Sequence, residues 1–319
     1  MFRSLRVKLI VFLLVLHTVS FTFMALANYE MATRKLTDQL IRQTMGALMN
    51  TSLNLRDWLD IGLHNAELLN RNDDLRDGPI AVRLARLQDE YRAFLDYDYA
   101  GIADTEGRMT LTDGSRIDVS DLGAFREARS GEGAFSAPVA NVKGRPKLLW
   151  FMFPLGSADG ENEVVGFALD SRRSFAGQLL GVESDYEDSS IVVMNEAADV
   201  LYHSDVSLDG YNYVREDPSL EQALAQMIRE GSGYTDLFAR GREIKLFYTH
   251  VPGTDWFLMQ SVNKAEFMQP LRSSLWLTLG IIAAAEIVLS VFLFLFTHLV
   301  VLKRLRQIVD VTQAVAGGD

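Results

Sequence analysis

The residues able to do chemistry in this 319-residue chain are sparse, and their spacing assembles no catalyst. His17, His64, His203, His250 and His298 form no spaced pair. With no cysteine at all, disulfides, zinc-thiolate sites, iron–sulfur ligation and thiol nucleophiles are excluded together. There is no GxSxG, no HExxH, no P-loop and no GxGxxG between a strand and a helix. The acidic run ESDYED at residues 183–188 reads as a solvated linker, with a cation site as the alternative. No enzyme activity, metal or cofactor is therefore expected. What remains is the chemistry of recognition. Arg116 offers a cation to an anionic ligand, or is a surface loop arginine. Asp170 offers a carboxylate to an amine, or caps the helix that follows it. Trp150 carries an indole N–H that can orient a bound molecule.

Two blocks decide where such residues can be displayed. Leu9–Ala27 runs 19 residues without a charge, roughly 28 Å as a helix. Residues 275–302 hold a second apolar block with one charge, Glu286. A helix apolar on every face suits hydrocarbon, where each backbone group must be satisfied within its own segment. Arg3, Arg6 and Lys8 precede the first block and Lys303, Arg304 and Arg306 follow the second, so both ends are expected in the cytoplasm. Residues 28–274 are then expected outside, in the periplasm of a cell with an inner membrane. The ends carry +3 (residues 1–27) and 0 (residues 273–319), so the formal −11 leaves −14 on residues 28–272. Such an acidic exterior argues against nucleic acid as a partner. Ala25-Leu26-Ala27 also fits a signal-peptidase site, the rival to an uncleaved anchor. His17 and Glu286 lie at depths differing by roughly 12 Å, too far for a direct pair. Each is expected at a helix–helix seam, with a signalling role for Glu286 as the alternative.

The exterior segment opens with a stalk. Residues 28–70 contain no proline; Leu48, Leu55, Gly62 and Leu69 recur every seven, with Leu59 and Ala66 as a second row. This predicts one amphipathic helix of about 64 Å, its seam facing its own domain or a partner chain. Asn72–Pro79 breaks it. Pro79 then suits the first turn of a second helix with Ile80, Leu84, Leu87, Tyr91 and Phe94 on one face. Strands follow at 99–104, 108–112, 134–139, 147–155 and 163–169, with a short helix at 121–129. The same order returns as strands at 190–195, 200–203, 234–238, 243–251 and 256–262, with a helix at 218–229. Gly131-Glu132-Gly133 recurs as Gly231-Ser232-Gly233 at an offset of 100, and Lys147-Leu148 as Lys245-Leu246 at 98. Two copies of one α+β unit account for both offsets.

On these residues the chain resembles the double-Cache sensory region of bacterial transmembrane receptors. VPGTDWFLMQSVNKAEFMQPL (251–271) is similar to that family's closing strand and exit helix. GAFSAPVANVKGRPKLLWFMFPL (133–155), with EVVGFALD after it, is similar to its distal unit. Leu305, Ile308, Thr312 and Val315 keep a coiled-coil seam in a stretch resembling the first HAMP helix, with Arg304 where proline is usual. The resemblance implies an α+β fold of two tandem PAS-like units on a stalk, flanked by two transmembrane helices. The expected divisions are a cytoplasmic end 1–8, spans 9–27 and 275–302, stalk 28–75, distal unit 76–182, proximal unit 183–272 and the start of HAMP 303–319. It implies a homodimeric receptor fragment, multi-pass in the inner membrane, whose output (chemotaxis, a kinase or a cyclase) lies C-terminal to this chain. A membrane-anchored hydrolase and an inert scaffold are the alternatives.

The resemblance also implies a ligand site in the distal unit. The family's amino-acid-binding branch clamps a zwitterion with Arg-x-Trp-Tyr on the helix, then a Tyr and an Asp. Here Leu122, Ala124 and Phe125 stand in the first three places, and Val139 and Asn141 in the last two; only Asp170 matches an acidic position. A small molecule other than a conventional amino acid is expected. In strand 147–155, alternation puts Leu148, Trp150 and Met152 on one face and Leu149, Phe151 and Phe153 on the other. One face must cover the stalk. Trp150 and Met152 are chosen for the pocket, with both faces as core the alternative. Asp113, Arg116, Phe125, Asn141 and Asp170 complete the candidate set. Trp256 is expected in the core.

Overall fold

The computed structural model of the chain describes residues 2–70, 75–76, 78–94, 97–140, 146–156, 162–179, 186, 189–239, 241–296 and 299. It divides into two compact units: Gln43–Lys264, and residues 1–42 together with 265–319.

The first helix, α1, runs unbroken over Phe2–Asn70. Within the Gln43–Lys264 unit its seam is buried at Leu48, Leu55, Leu59 and Ala66. The partner of that seam is its own domain. A methyl group on Gly62 would lie 2.7 Å from the Phe151 ring, and the Tyr97 hydroxyl donates to the Gly62 carbonyl at 2.9 Å. Burial holds the Tyr97 phenol well above its ordinary pKa. Helix α2 (Ile80–Phe94) starts on the Pro79 carbonyl, which accepts from the N–H groups of Val82 and Arg83. Leu84 and Leu87 are buried, but Ile80 is exposed. Arg83 is buried and spends its guanidinium on the Leu75 carbonyl and on Glu163.

Two antiparallel sheets follow. The distal sheet comprises β1 (Tyr99–Ala103), β2 (Arg108–Leu111), β3 (Arg116–Asp118), β4 (Ala134–Phe135), β5 (Leu148–Leu155) and β6 (Glu163–Asp170), in the order β3-β2-β1-β6-β5-β4. Helix α3 (Gly123–Ser130) lies against β5, and α4 (Ser171–Leu179) leaves from β6. The proximal sheet comprises β7 (Ser190–Asn195), β8 (Val200–His203), β9 (Ser232–Ala239), β10 (Arg242–His250) and β11 (Trp256–Asn263), in the order β8-β7-β11-β10-β9. The one-turn helix α5 (Tyr213–Glu216) and α6 (Glu221–Glu230) precede β9. Matching β7, β8, β9, β10 and β11 to β1, β2, β4, β5 and β6 makes the two orders identical, apart from the edge strand β3. The fold class is thus α+β with a duplicated unit.

Three details correct the sequence reading. The strand expected at 134–139 is two residues long, because Pro138 cannot donate to a ladder; Val139 rejoins β5 only through Leu148. Arg116 opens a strand rather than lying in a loop. Helix α4, expected only as the helix that Asp170 would cap and without bounds, spans SRRSFAGQL, a sequence with little apolar periodicity.

Outside the cavity side of the proximal sheet, Lys245 is buried. Its Nζ lies 2.7 Å from Asp236 Oδ1 and 4.9 Å above the Tyr234 ring, while Lys264 reaches Asp236 Oδ2 at 3.1 Å. Burial opposes ionisation of Asp236, but the hydrogen bonds and charges of the two lysines outweigh it and hold its pKa below 3.8. A depressed folded-state pKa contributes stability that is present above the unfolded value and lost as pH falls below it. Asp236→Asn is expected to destabilise the unit at pH 7 by about 1–2 kcal/mol, less than a fully buried pair costs because the carboxylate is half exposed. In urea titrations the gap to the unsubstituted protein should close as the pH drops through about 3.8. A gap that stays constant with pH contradicts the assignment.

The other unit contains helix α8 (Gln269–Phe296), preceded by the one-turn helix α7 (Lys264–Phe267). Residues Trp276–Phe296 make a 21-residue stretch long and apolar enough to cross a membrane. Trp276, Leu277, Ile281 and Phe292 are exposed. The apolar residues Phe12, Val15, Leu16, Val19 and Phe23 of α1 are exposed too. The His17 ring lies tilted against Phe21, 5.0 Å between ring centroids. The HAMP-like stretch 303–319 and His298 lie outside the described residues.

Candidate functional site

In the distal unit three of the seven predicted residues meet on the side of the sheet opposite the stalk. The alternation along β5 resolves as follows. Phe151 packs on the stalk side, its ring 6.3 Å from Trp58 and 6.0 Å from Tyr97. Leu148, Trp150 and Met152 turn to the other side and join one apolar cluster with Ala124, Phe125 and Ala128 of α3 and with Met109 and Leu111 of β2. Phe125, Trp150 and Met152 are therefore brought together, all of them buried. Two bonds to Ser136 hold the backbone of Trp150: its main-chain N–H donates to Ser136 Oγ at 3.1 Å, and its carbonyl accepts from Ser136 N–H at 2.8 Å. Gly166 on β6 leaves the ring its space, since a methyl group there would lie 3.2 Å from Trp150 Cε3.

One polar atom in this cluster stands out. Trp150 Nε1 is buried and has no hydrogen-bond partner among the described residues. An unmatched buried donor costs about 1–3 kcal/mol. The proximal copy handles the same place differently. Tyr248, at the offset of 98, is also buried on the helix side of its sheet, but its hydroxyl donates to Glu230 Oε2 at 2.5 Å. Burial and that bond push the Tyr248 pKa up to about 12.

The other predicted residues are dispersed. Asp113 Oδ1 accepts from Ser115 N–H at 2.9 Å in the β2–β3 turn. Arg116 is exposed at the sheet's edge strand. Asp170 Oδ1 accepts from the N–H groups of Arg172 (3.0 Å) and Arg173 (3.2 Å), which is the capping role for α4. Asn141 lies outside the described residues. Leu122 precedes α3 without capping it by its side chain and packs on the apolar cluster.

Sequence reasoning missed a cavity in the proximal unit. It has a volume of about 500 Å³ and lies between the helix side of the proximal sheet and α6. Leu224 and Met227 of α6 face Val192, Met194, Leu246 and Met259 of the sheet across it. The helix spacing of Leu220, Leu224 and Met227 was visible, but periodicity reports which face is apolar and not how far it stands from its partner. Among the described residues no group of three His, Asp or Glu side chains is arranged to hold a metal ion.

The two lobes meet through α4. Phe175 touches Trp58 of the stalk (6.3 Å), Tyr202 of β8 (5.9 Å) and Trp256 of β11 (5.8 Å), and Phe135 of β4 reaches Trp256 at 5.7 Å. Arg172 Nη1 donates to Asp209 Oδ2 at 2.5 Å and to the His203 carbonyl at 3.3 Å. Asp209 Oδ1 in turn accepts from His203 N–H at 2.9 Å.

No protein-family model matches the sequence, and no curated protein matches it. Solved structures do. The ligand-binding domain of the Pseudomonas fluorescens chemoreceptor CtaA in complex with L-leucine aligns with a TM-score of 0.56 at 16% identity, over 75% of this chain and 99% of that one. Its complex with L-isoleucine gives 0.57 at 15% identity, over 74% and 97%. The ligand-binding domain of the Pseudomonas aeruginosa PAO1 amino acid chemoreceptor PctB, with L-Arg, gives 0.50 at 18% identity, over 72% and 97%. At such identities the likeness is one of fold: a long N-terminal helix carrying two tandem Cache-like α+β units.

Proposed function

We propose, with the shared chemoreceptor fold as premise, that this chain is the ligand-sensing and signal-transmitting region of a bacterial membrane receptor. It is held by the spans 9–27 and 275–302 with residues 28–274 in the periplasm, acts as a homodimer, and binds a small molecule in its distal unit. The observation that carries the reading is the unmatched Trp150 indole N–H inside the distal apolar cluster. A ligand acceptor there removes the desolvation cost that the protein itself leaves uncompensated. The surrounding chemistry argues for a molecule with an apolar body and an acceptor. Ala124 and Phe125 are buried where a zwitterion clamp would need charge, and Asp170 is engaged as a helix cap. Ligand free energy spent in this lobe reaches the proximal lobe through β6, α4 and the Arg172–Asp209 pair. A two-state element biased in this way typically shifts by ~1–3 kcal/mol per ligand.

The test is a metabolite screen on the full chain in lipid nanodiscs, read by thermal shift and calorimetry. A ligand is expected to raise the melting temperature of the exterior unit. Trp150→Phe keeps an aromatic ring, though a smaller one, but removes the N–H donor, and is expected to weaken that ligand about tenfold. A ligand bound equally well by Trp150→Phe, or a broad screen without a single binder, overturns the distal assignment.

A further inference from the structure

The distal reading leaves the proximal cavity unused. We infer that this cavity is a second small-molecule site, independent of the distal one, which takes an uncharged apolar molecule beneath α6.

The duplicated fold supplies its own comparison. In the distal unit α3 packs onto its sheet and buries Ala124, Phe125 and Ala128. In the proximal unit α6 buries Met227 alone, and Leu224 stays half-buried. The same architecture can thus be packed shut, yet here a volume of about 500 Å³ is kept between α6 and the sheet. Protein interiors pack to crystal-like density, and voids beyond methyl size are costly. A hollow of this volume is within the range of small-molecule sites.

The lining sets the class of guest. Strand alternation places the side chains of Val192, Met194, Leu246 and Met259 on the floor, and α6 adds Leu224 and Met227 as the roof. None of these side chains offers a charge or a hydrogen-bond donor. A charge carried among them would lose its hydration with nothing to replace it. Met194, Met227 and Met259 also suit an apolar guest of irregular shape, since unbranched thioethers adapt to it. The hydroxyls of Ser190 and Ser261 at the border bond each other at 2.7 Å. Among the described residues at the border, Arg242 and Asp205 carry opposite charges and both interact within the protein, so they select neither an anion nor a cation. The roof itself is held chiefly at one end. Glu230 accepts from the Tyr248 hydroxyl, whereas Leu220 gives the start of α6 no side-chain cap. A guest beneath Leu224 and Met227 adds contacts that the helix otherwise lacks.

The experiment titrates 4-phenylbutanol into the full chain in nanodiscs and reads hydrogen exchange of the amides of Glu221–Glu230. 4-Phenylbutyrate and 4-phenylbutylamine serve as the charged isosteres. The local readout separates binding beneath α6 from partition into lipid. Saturable protection of α6 by the alcohol is expected, with about tenfold weaker binding of either charged compound. Ala223→Trp fills the cavity from a half-buried position on α6 without removing a core side chain, and should weaken the alcohol by about tenfold or more. The isostere series needs no variant and decides by itself if that one does not fold. Trp150→Phe should leave the protection unchanged, which separates this site from the distal one. No saturable protection, equal binding by a folded Ala223→Trp variant, or a charged isostere as effective as the alcohol overturns the inference. Loss of protection in Trp150→Phe overturns the independence of the two sites.

Discussion

Trp256→Ala is expected to destabilise the Gln43–Lys264 unit by about 4 kcal/mol, near the upper part of the range for large-to-small aromatic changes. Trp256 opens β11 with its indole buried. Its ring meets Phe135 of the distal sheet and Phe175 of α4 edge-on, at 5.7 and 5.8 Å. Phe175 passes the contact to Tyr202 and to Trp58 on the stalk. One substitution thus empties the point where both lobes and the stalk converge. Edge-on aromatic pairs add about 0.5–1.5 kcal/mol beyond the area they bury, and neighbouring lobes cannot collapse into the gap without losing their own sheet contacts. Urea unfolding of the full chain, followed by tryptophan fluorescence and circular dichroism, measures the loss. A second consequence is expected in limited proteolysis, where the junction around α4 should become the preferred site of cleavage. A loss below about 1 kcal/mol would mean that the lobes are held together elsewhere.

The second large effect is a contest of signs at Gly62. In an exposed helix interior, glycine to alanine gains about 1 kcal/mol. Here the added methyl would lie 2.7 Å from two carbons of the Phe151 ring. That ring is fully buried, and Trp58, Tyr97 and Phe135 surround it at 6.0 to 6.3 Å between centroids. It cannot retreat without disturbing the cluster, and the Tyr97 hydroxyl is also tied to the Gly62 carbonyl. Overpacking of this kind costs about 1–3 kcal/mol. Steric cost wins, and Gly62→Ala is expected to destabilise by about 2 kcal/mol. Gly46→Ala on the same helix is the control, since nothing stands within 4 Å of an added methyl there; it should stabilise slightly. If both substitutions stabilise, the stalk does not pack on β5 as described.

Much of the architecture was legible before any coordinates. Leu48, Leu55, Leu59 and Ala66 were readable as a buried seam because helix period and apolarity are local properties. The duplicated unit was readable from Gly131/Gly231 and Lys147/Lys245, because turn residues and strand starts mark the same places in each copy. Alternation along 147–155 sorted the strand into two faces, and the structure puts Phe151 against the stalk and Trp150 against α3. Local patterning did not locate α4, whose single large apolar anchor, Phe175, finds its partners only across the lobe junction.

What the sequence determined by itself is therefore the order and period of the elements and the two apolar blocks, since each depends on residue types at short separation. Tertiary structure alone decided three further matters. It turned Asp170 into a helix cap, gave Tyr248 a carboxylate while leaving Trp150 without a partner, and held α6 far enough from its sheet to leave a cavity. Each of these depends on distances between residues far apart in the chain. Such distances follow from how whole surfaces pack, a sum over many weak contacts that no local spacing encodes.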